Sequence, residues 1–128
     1  MSTAPSIASV DQFKTALLTL RDKNLPSSHF TMLRAQCHAP NAAITATQLA
    51  AVAGYENYNA ANLQYGTLAF NLAGILGFTP QLMHRDGSLC WWTTLSVAGK
   101  GADYEEAQQF HFVMRSELVQ ALREMRWA

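Results

Sequence analysis

Charge is what this chain has least of. Nine Lys or Arg and nine Asp or Glu in 128 residues make up 14%, against about 25% in an ordinary soluble domain, and they cancel. A neutral chain has no long-range field with which to steer a polyanion, so any steering must come from local patches. The shortage is also uneven, because Glu56 is the only formally charged residue between Ala35 and His84. Cysteine is scarce as well. Cys37 and Cys90 give no disulfide framework. No apolar run approaches the roughly 20 residues a bilayer requires, since the longest, Thr67 to Phe78, is broken by Asn71. MSTAPSIASV lacks the basic segment and apolar core of a secretory signal, so a cytoplasmic protein without membrane contact is expected. Metal and catalytic patterns are missing too. Cys37 and His38 are adjacent rather than spaced for chelation, and His84, Cys90 and His111 match no ligand set. There is no Ser-His-Asp order and no glycine-rich phosphate loop. Neither a cofactor nor enzymatic activity is expected.

What is present is a helix-turn-helix pattern over about residues 46–65, ATQLAAVAGYENYNAANLQY. Ala50 supplies the small side chain that two steeply crossing helices need at their contact. Gly54 supplies a turn residue that accepts positive φ. In this template Leu49, Ala53, Tyr55, Ala60 and Leu63 face the shared core. Thr45 and Gln48 form a capping box in front of the first helix, and Gly77 stops the second, which begins near Asn57.

Around the motif the periodicity is clear. Ser9 and Gln12 make a capping box for a helix striped by Phe13, Ala16, Leu17 and Leu20. Ser27 or Ser28 can cap a second helix carrying Phe30, Leu33 and Cys37, stopped before Pro40. After Pro80 the period changes to two. Leu89, Trp91, Thr93, Leu95 and Val97 alternate with Cys90, Trp92, Thr94 and Ser96, which predicts a half-buried strand. A second strand sets Phe110, Phe112 and Met114 against Gln109, His111 and Val113, with Ala98 to Gln108 as a long hairpin loop. Ser116 caps a closing helix with Leu118, Val119, Leu122 and Met125 inside. The expectation is a single α+β domain over 1–128, winged-helix-like, with a helix-turn-helix, a β-hairpin and a C-terminal helix.

The candidate binding residues follow from this template. With Ala60 and Leu63 facing in, Tyr58, Ala61, Asn62 and Tyr65 share an outward face at i, i+3, i+4 and i+7, beside Asn57. Asn62 can pair with an adenine edge, and Ala61 can lie against a thymine methyl. The same face, rich in tyrosine and free of charge, also describes a protein-contact surface. A recognition helix without Lys or Arg draws no affinity from phosphates. Arg34, Arg85 and Arg115 could supply phosphate contacts from elsewhere, whereas the loop sets Lys100 among Asp103, Glu105 and Glu106. Trp92 falls beside Thr94, Ser96 and His111, where it stacks on a base, anchors a partner or is covered by the last helix. Three readings stay open: a nucleic-acid binder with a largely neutral recognition helix, a protein-interaction module, and a reader of a modified base. The helix after Gly66 is apolar on nearly every side, which fits a buried core helix or a homodimer.

The segments Thr45-Ala46-Thr47-Gln48-Leu49-Ala50, Gly54-Tyr55 and Ala60-Ala61-Asn62-Leu63-Gln64-Tyr65-Gly66-Thr67-Leu68 resemble a family of small bacterial helix-turn-helix proteins, some joined to HNH-type endonuclease domains. Trp91-Trp92 and Met114-Arg115-Ser116-Glu117-Leu118 look similar as well. The resemblance implies a DNA-associated module whose partner could be a restriction or defence nuclease. No HNH motif follows Trp92, so nuclease activity does not carry over.

Overall fold

The computed structural model describes residues 6–99 and 110–128. Two capping boxes fix where the first and third helices start. In α1, Val10–Asp22, the Ser9 hydroxyl accepts from the Gln12 amide while the Gln12 side chain accepts from the Ser9 amide. Phe13, Ala16, Leu17 and Leu20 are buried, as the stripe predicts. The helix α2, Ser27–His38, follows Pro26 without a side-chain cap. Neither Ser27 nor Ser28 caps it, and the Ser28 hydroxyl instead accepts from Tyr55 at 2.8 Å. Leu33 and Cys37 are buried, but Phe30 is only half-buried, with its ring edge-on to Trp127.

A short strand, β1 (Ala43–Thr45), leads into α3, Ala46–Ala53, through the Thr45–Gln48 capping box. Three residues are too few for periodicity to reveal a strand, and this one was not foreseen. Gly54 ends α3 at φ 80°. The second motif helix, α4, spans Tyr58–Leu76, capped by Asn57 and closed by Gly77 at φ 75°. Two helices separated at Gly54 are therefore present as expected.

Their relative rotation is not. Leu63, which the template places at the α3–α4 contact, is 67% exposed, while Ala61 and Tyr65 are buried. The buried set Ala61, Tyr65, Leu68, Ala69 and Leu72 has ordinary helical spacing, shifted one place from the template. Gly54 to Asn57 separate the two helices, and a shift of one place turns the buried face of a helix by about 100°.

After α4 the chain forms a short hairpin around Asp86-Gly87, with Met83 bridged to Leu89. The strand expected from Leu89 to Val97 is mostly absent: Trp91–Thr94 is a 3₁₀ turn, and β2 is only Ser96–Ala98. The Thr93 and Thr94 hydroxyls donate to the carbonyls of Cys90 and Trp91, a local alternative to strand pairing. Period-two alternation therefore does not apply there. Strand β3, His111–Met114, keeps its predicted faces, with Phe112 and Met114 buried and His111 exposed. The sheet order is β1-β3-β2, all antiparallel, with Ile44 opposite Phe112 and Val97 opposite Val113. The closing helix α5, Ser116–Glu124, buries Leu118, Ala121 and Leu122, with Arg115 rather than Ser116 at its N-cap position. Among the described residues the protein is thus mixed α+β, with five α-helices and a three-stranded antiparallel sheet. No helix among them is long and apolar enough to cross a membrane.

Candidate binding face on α4 and its groove

A buried polar network sets the orientation of α4. The Tyr65 hydroxyl donates to Gln36 Oε1 at 2.6 Å and lies 2.6 Å from Ser96 Oγ. Gln36 Nε2 donates to Ser96 Oγ at 2.9 Å and to the Phe112 carbonyl at 3.1 Å. With Tyr65 donating to Gln36, the Ser96 hydroxyl donates back to Tyr65, so three bonds close a ring joining α4, α2 and β2. Burial pushes the Tyr65 phenol well above its ordinary pKa, which keeps it a donor. Gln64 adds a second tie, its Oε1 lying 2.7 Å from Nε2 of buried His29. Neither Gln36 nor Ser96 carried a signal in the sequence, because a buried amide and hydroxyl look like surface residues until their partners are known.

This rotation leaves an uncharged face in solvent. Asn59, Leu63, Thr67, Phe70 and Gly74 are exposed along it. Leu63 at 67% and Phe70 at 52% are joined across a groove by Leu82 at 51% and Met83 at 59%. One wall of the groove is α4 and the other is the 82–90 hairpin, with Trp92 and Phe112 also lining it. The Asp86-Gly87 pair between Met83 and Leu89 was a legible hairpin signal, and it locates this second wall. Phe70 meets Trp91 edge-on at 4.7 Å. Trp92 packs its ring against Phe110 and Phe112 at 5.3 and 5.4 Å. The tryptophans therefore do not divide as a strand would divide them. Trp92 lies against buried Phe110 and Phe112, and Trp91 lies against Phe70 of α4.

Glycine at positions 66 and 74 has no internal explanation. Each stands inside a helix, where it is roughly 0.5–1 kcal/mol less favourable than alanine. A Cβ at either position would meet nothing within 4 Å among the described residues.

The expected site residues are dispersed. Ala61 and Tyr65 are buried, which corrects the outward face expected for them. Asn57 is exposed, but its side chain accepts from the Ala60 amide as the helix cap. Tyr58 is half-buried against the core. Asn62 is half-exposed and lines the groove. Arg115 is buried and donates to the Thr93 carbonyl at 2.8 Å, a tie within the fold in place of the open position expected for it. Arg34 is exposed on α2 beside Phe30 and His38, on a separate shallow cleft. Lys100, Asp103, Glu105 and Glu106 lie outside the described residues. Arg85 and Asp86 are the formally charged residues among those described on the groove, and they cancel. Hydrogen bonds from the Ser88 hydroxyl and amide hold the Asp86 carboxyl below its usual range. No group of three metal-ligating side chains forms among the described residues.

No family model, curated protein or solved structure matches the chain. Its function is read from this geometry.

Proposed function

We propose that the protein is a non-catalytic interaction module of winged-helix-like architecture, whose open α4 face and adjoining groove bind a protein partner. The observation that carries this reading is the set of exposed apolar side chains, Leu63, Phe70, Leu82 and Met83, around a groove whose described residues sum to zero net charge. A contiguous apolar patch with a polar rim is the usual mark of a protein-contact surface. The winged-helix-like reading is supported by a strand ahead of the helix-turn-helix that pairs with the hairpin behind it. A phosphate backbone finds one cation, Arg85, on the described groove, too few for appreciable salt-dependent affinity.

Asn62 supports a second reading, in which the helix contacts bases through neutral groups. It lines the groove half-exposed, whereas Ala61 and Tyr65 are buried, Asn57 caps the helix and Tyr58 packs against the core. A modified-base reader would use Trp92, whose ring is already packed on Phe110 and Phe112. By the sequence resemblance, a protein partner could be a restriction or defence nuclease.

The test is titration with mixed-sequence duplex DNA at low salt. The interaction reading expects no binding at about tens of micromolar, where non-specific DNA binders with constants of roughly 10⁻⁴–10⁻⁶ M begin to register. Leu63→Glu should then abolish a complex purified with the tagged chain from its native cell. Sequence-selective DNA binding weakened by about 1–3 kcal/mol in Asn62→Ala would replace this reading with the second.

A further inference from the structure

We propose that the partner on the open face of α4 is a second copy of this chain, docked antiparallel across a two-fold axis beside exposed Thr67, at the height of Leu68 along the helix. The inference rests on the interaction reading above and states which protein fills the face. In a two-fold contact, if residue i of one copy meets j of the other, then j also meets i. Gly66 and Phe70 lie symmetrically about Leu68, and Leu63 and Gly74 lie symmetrically about the Leu68–Ala69 bond. One antiparallel register therefore sets both exposed large side chains of α4 over its two unexplained glycines. Each copy supplies the projections and the gaps in equal number. Glycine lets another chain approach the helix backbone closely, and the edge-on contact with Trp91 braces Phe70 from behind.

Charge selects the same occupant. No Asp, Glu, Lys or Arg occurs in Tyr58–Leu76, so pairing two such helices brings no like charges together. A charged partner helix would instead have to leave its ions desolvated and unpaired against this face. Asn59 and Asn71 amides both donate and accept, as a self-complementary surface requires. From Asn59 to Gly74 the strip is about 22 Å long at 1.5 Å per residue, and about one helix diameter, 10 Å, in width. That covers only part of the roughly 800 Å² each partner gives to a standard interface. Exposed Leu82 and Met83 on the facing wall extend the surface, so the second α4 would lie in the groove against both walls.

Sedimentation velocity from low to several hundred micromolar protein is the first measurement, and a concentration-dependent doubling of mass is expected. Gly66→Gln with Gly74→Gln should weaken that association at least tenfold while raising the melting temperature of the dilute monomer. Thr67→Cys, near the axis, should cross-link to itself through a short bis-maleimide. Asn59→Cys should not, because antiparallel docking holds the two copies of residue 59 about 27 Å apart along the helices. Three results overturn the inference: a monomer at every concentration, a dimer indifferent to the glutamines, or self-linking at residue 59 without linking at residue 67. In the monomer case the interaction reading survives if Leu63→Glu still abolishes a hetero-complex. It fails as well only if that variant has no effect on any complex.

Discussion

On one side of α4, Tyr65 is fully buried, its hydroxyl donating to Gln36 and accepting from Ser96; on the other, Leu63 leaves two-thirds of its surface in water. By polarity alone the two would be exchanged, since leucine belongs in a core more readily than tyrosine. What decides between them is satisfaction of the polar groups on neighbouring elements. Gln36 and Ser96 are fully buried on α2 and β2, and rotating α4 by one residue would take Tyr65 away from Gln36 Oε1 and from the Ser96 hydroxyl proton. An unsatisfied buried polar group is penalised by about 1–3 kcal/mol, comparable to the roughly 1.5–3 kcal/mol gained by burying one leucine. Because Ala61, Leu68 and Leu72 favour the same rotation, the leucine at 63 is the residue left outside. The buried face is specified by partners within the chain. The open face, with two glycines that nothing inside the fold requires, is not.

The contrast can be broken most sharply at Tyr65. Tyr65→Ala should lower the unfolding free energy by about 3–5 kcal/mol, as for other large aromatic truncations, measured by urea denaturation. A loss below about 1 kcal/mol would mean that this face does not hold the helix. Gln36→Leu comes next. It keeps the site apolar but removes the amide from Tyr65, Ser96 and the Phe112 carbonyl, and should cost about 1–3 kcal/mol.

On the open face the sign reverses. Gly66→Ala and Gly74→Ala should each stabilise the dilute monomer by roughly 0.5–1 kcal/mol, read as a higher urea midpoint at unchanged slope. Destabilisation would reveal a close contact on that face. Leu63→Gln should leave monomer stability within about 0.5 kcal/mol; a loss of several would return Leu63 to the core and restore the helix-turn-helix template's phase.

The smallest effect should come from a surface that does carry charge, where Lys14 of α1 is paired with Glu124 of α5. The hydrogen bond from Lys14 holds the Glu124 carboxyl below its ordinary pKa. A depressed carboxylate contributes stability above its unfolded pKa and loses it as pH falls through the folded value. Glu124→Gln should therefore lower stability slightly at neutral pH, where both partners are charged, and flatten the acid limb of the stability curve near pH 4 and below. Unchanged acid sensitivity would show that solvent screens the pair completely.

Much of the fold was legible because it is specified locally. Ser9 with Gln12, Thr45 with Gln48, and glycine at 54 and 77 each act within a few residues of a helix end. The stripe of α1 and the alternation of β3 also held. The segment Leu89 to Val97 misled because an alternating pattern of tryptophan, threonine and leucine suits a strand, yet threonine hydroxyls can close a 3₁₀ turn on nearby carbonyls. Less of the candidate site was legible. Asn62 was placed on an outward face and is half-exposed, but Ala61 and Tyr65 were given the wrong side, and the wall at Leu82 and Met83 was not read from its Asp86-Gly87 turn.

The sequence by itself determined where α1 begins, where α3 and α4 begin and end, the break at Gly54, and an α4 without formal charge, because caps and composition act over three or four residues. The tertiary structure alone decided which side of α4 is core, that Arg115 is enclosed, and that β1 pairs with β3. Those choices depend on partners far apart along the chain: Tyr65 reaches Gln36 across 29 residues and Ser96 across 31. Helical periodicity gives the spacing of a buried face but not its direction, and here the direction is set by which distant polar groups must be satisfied.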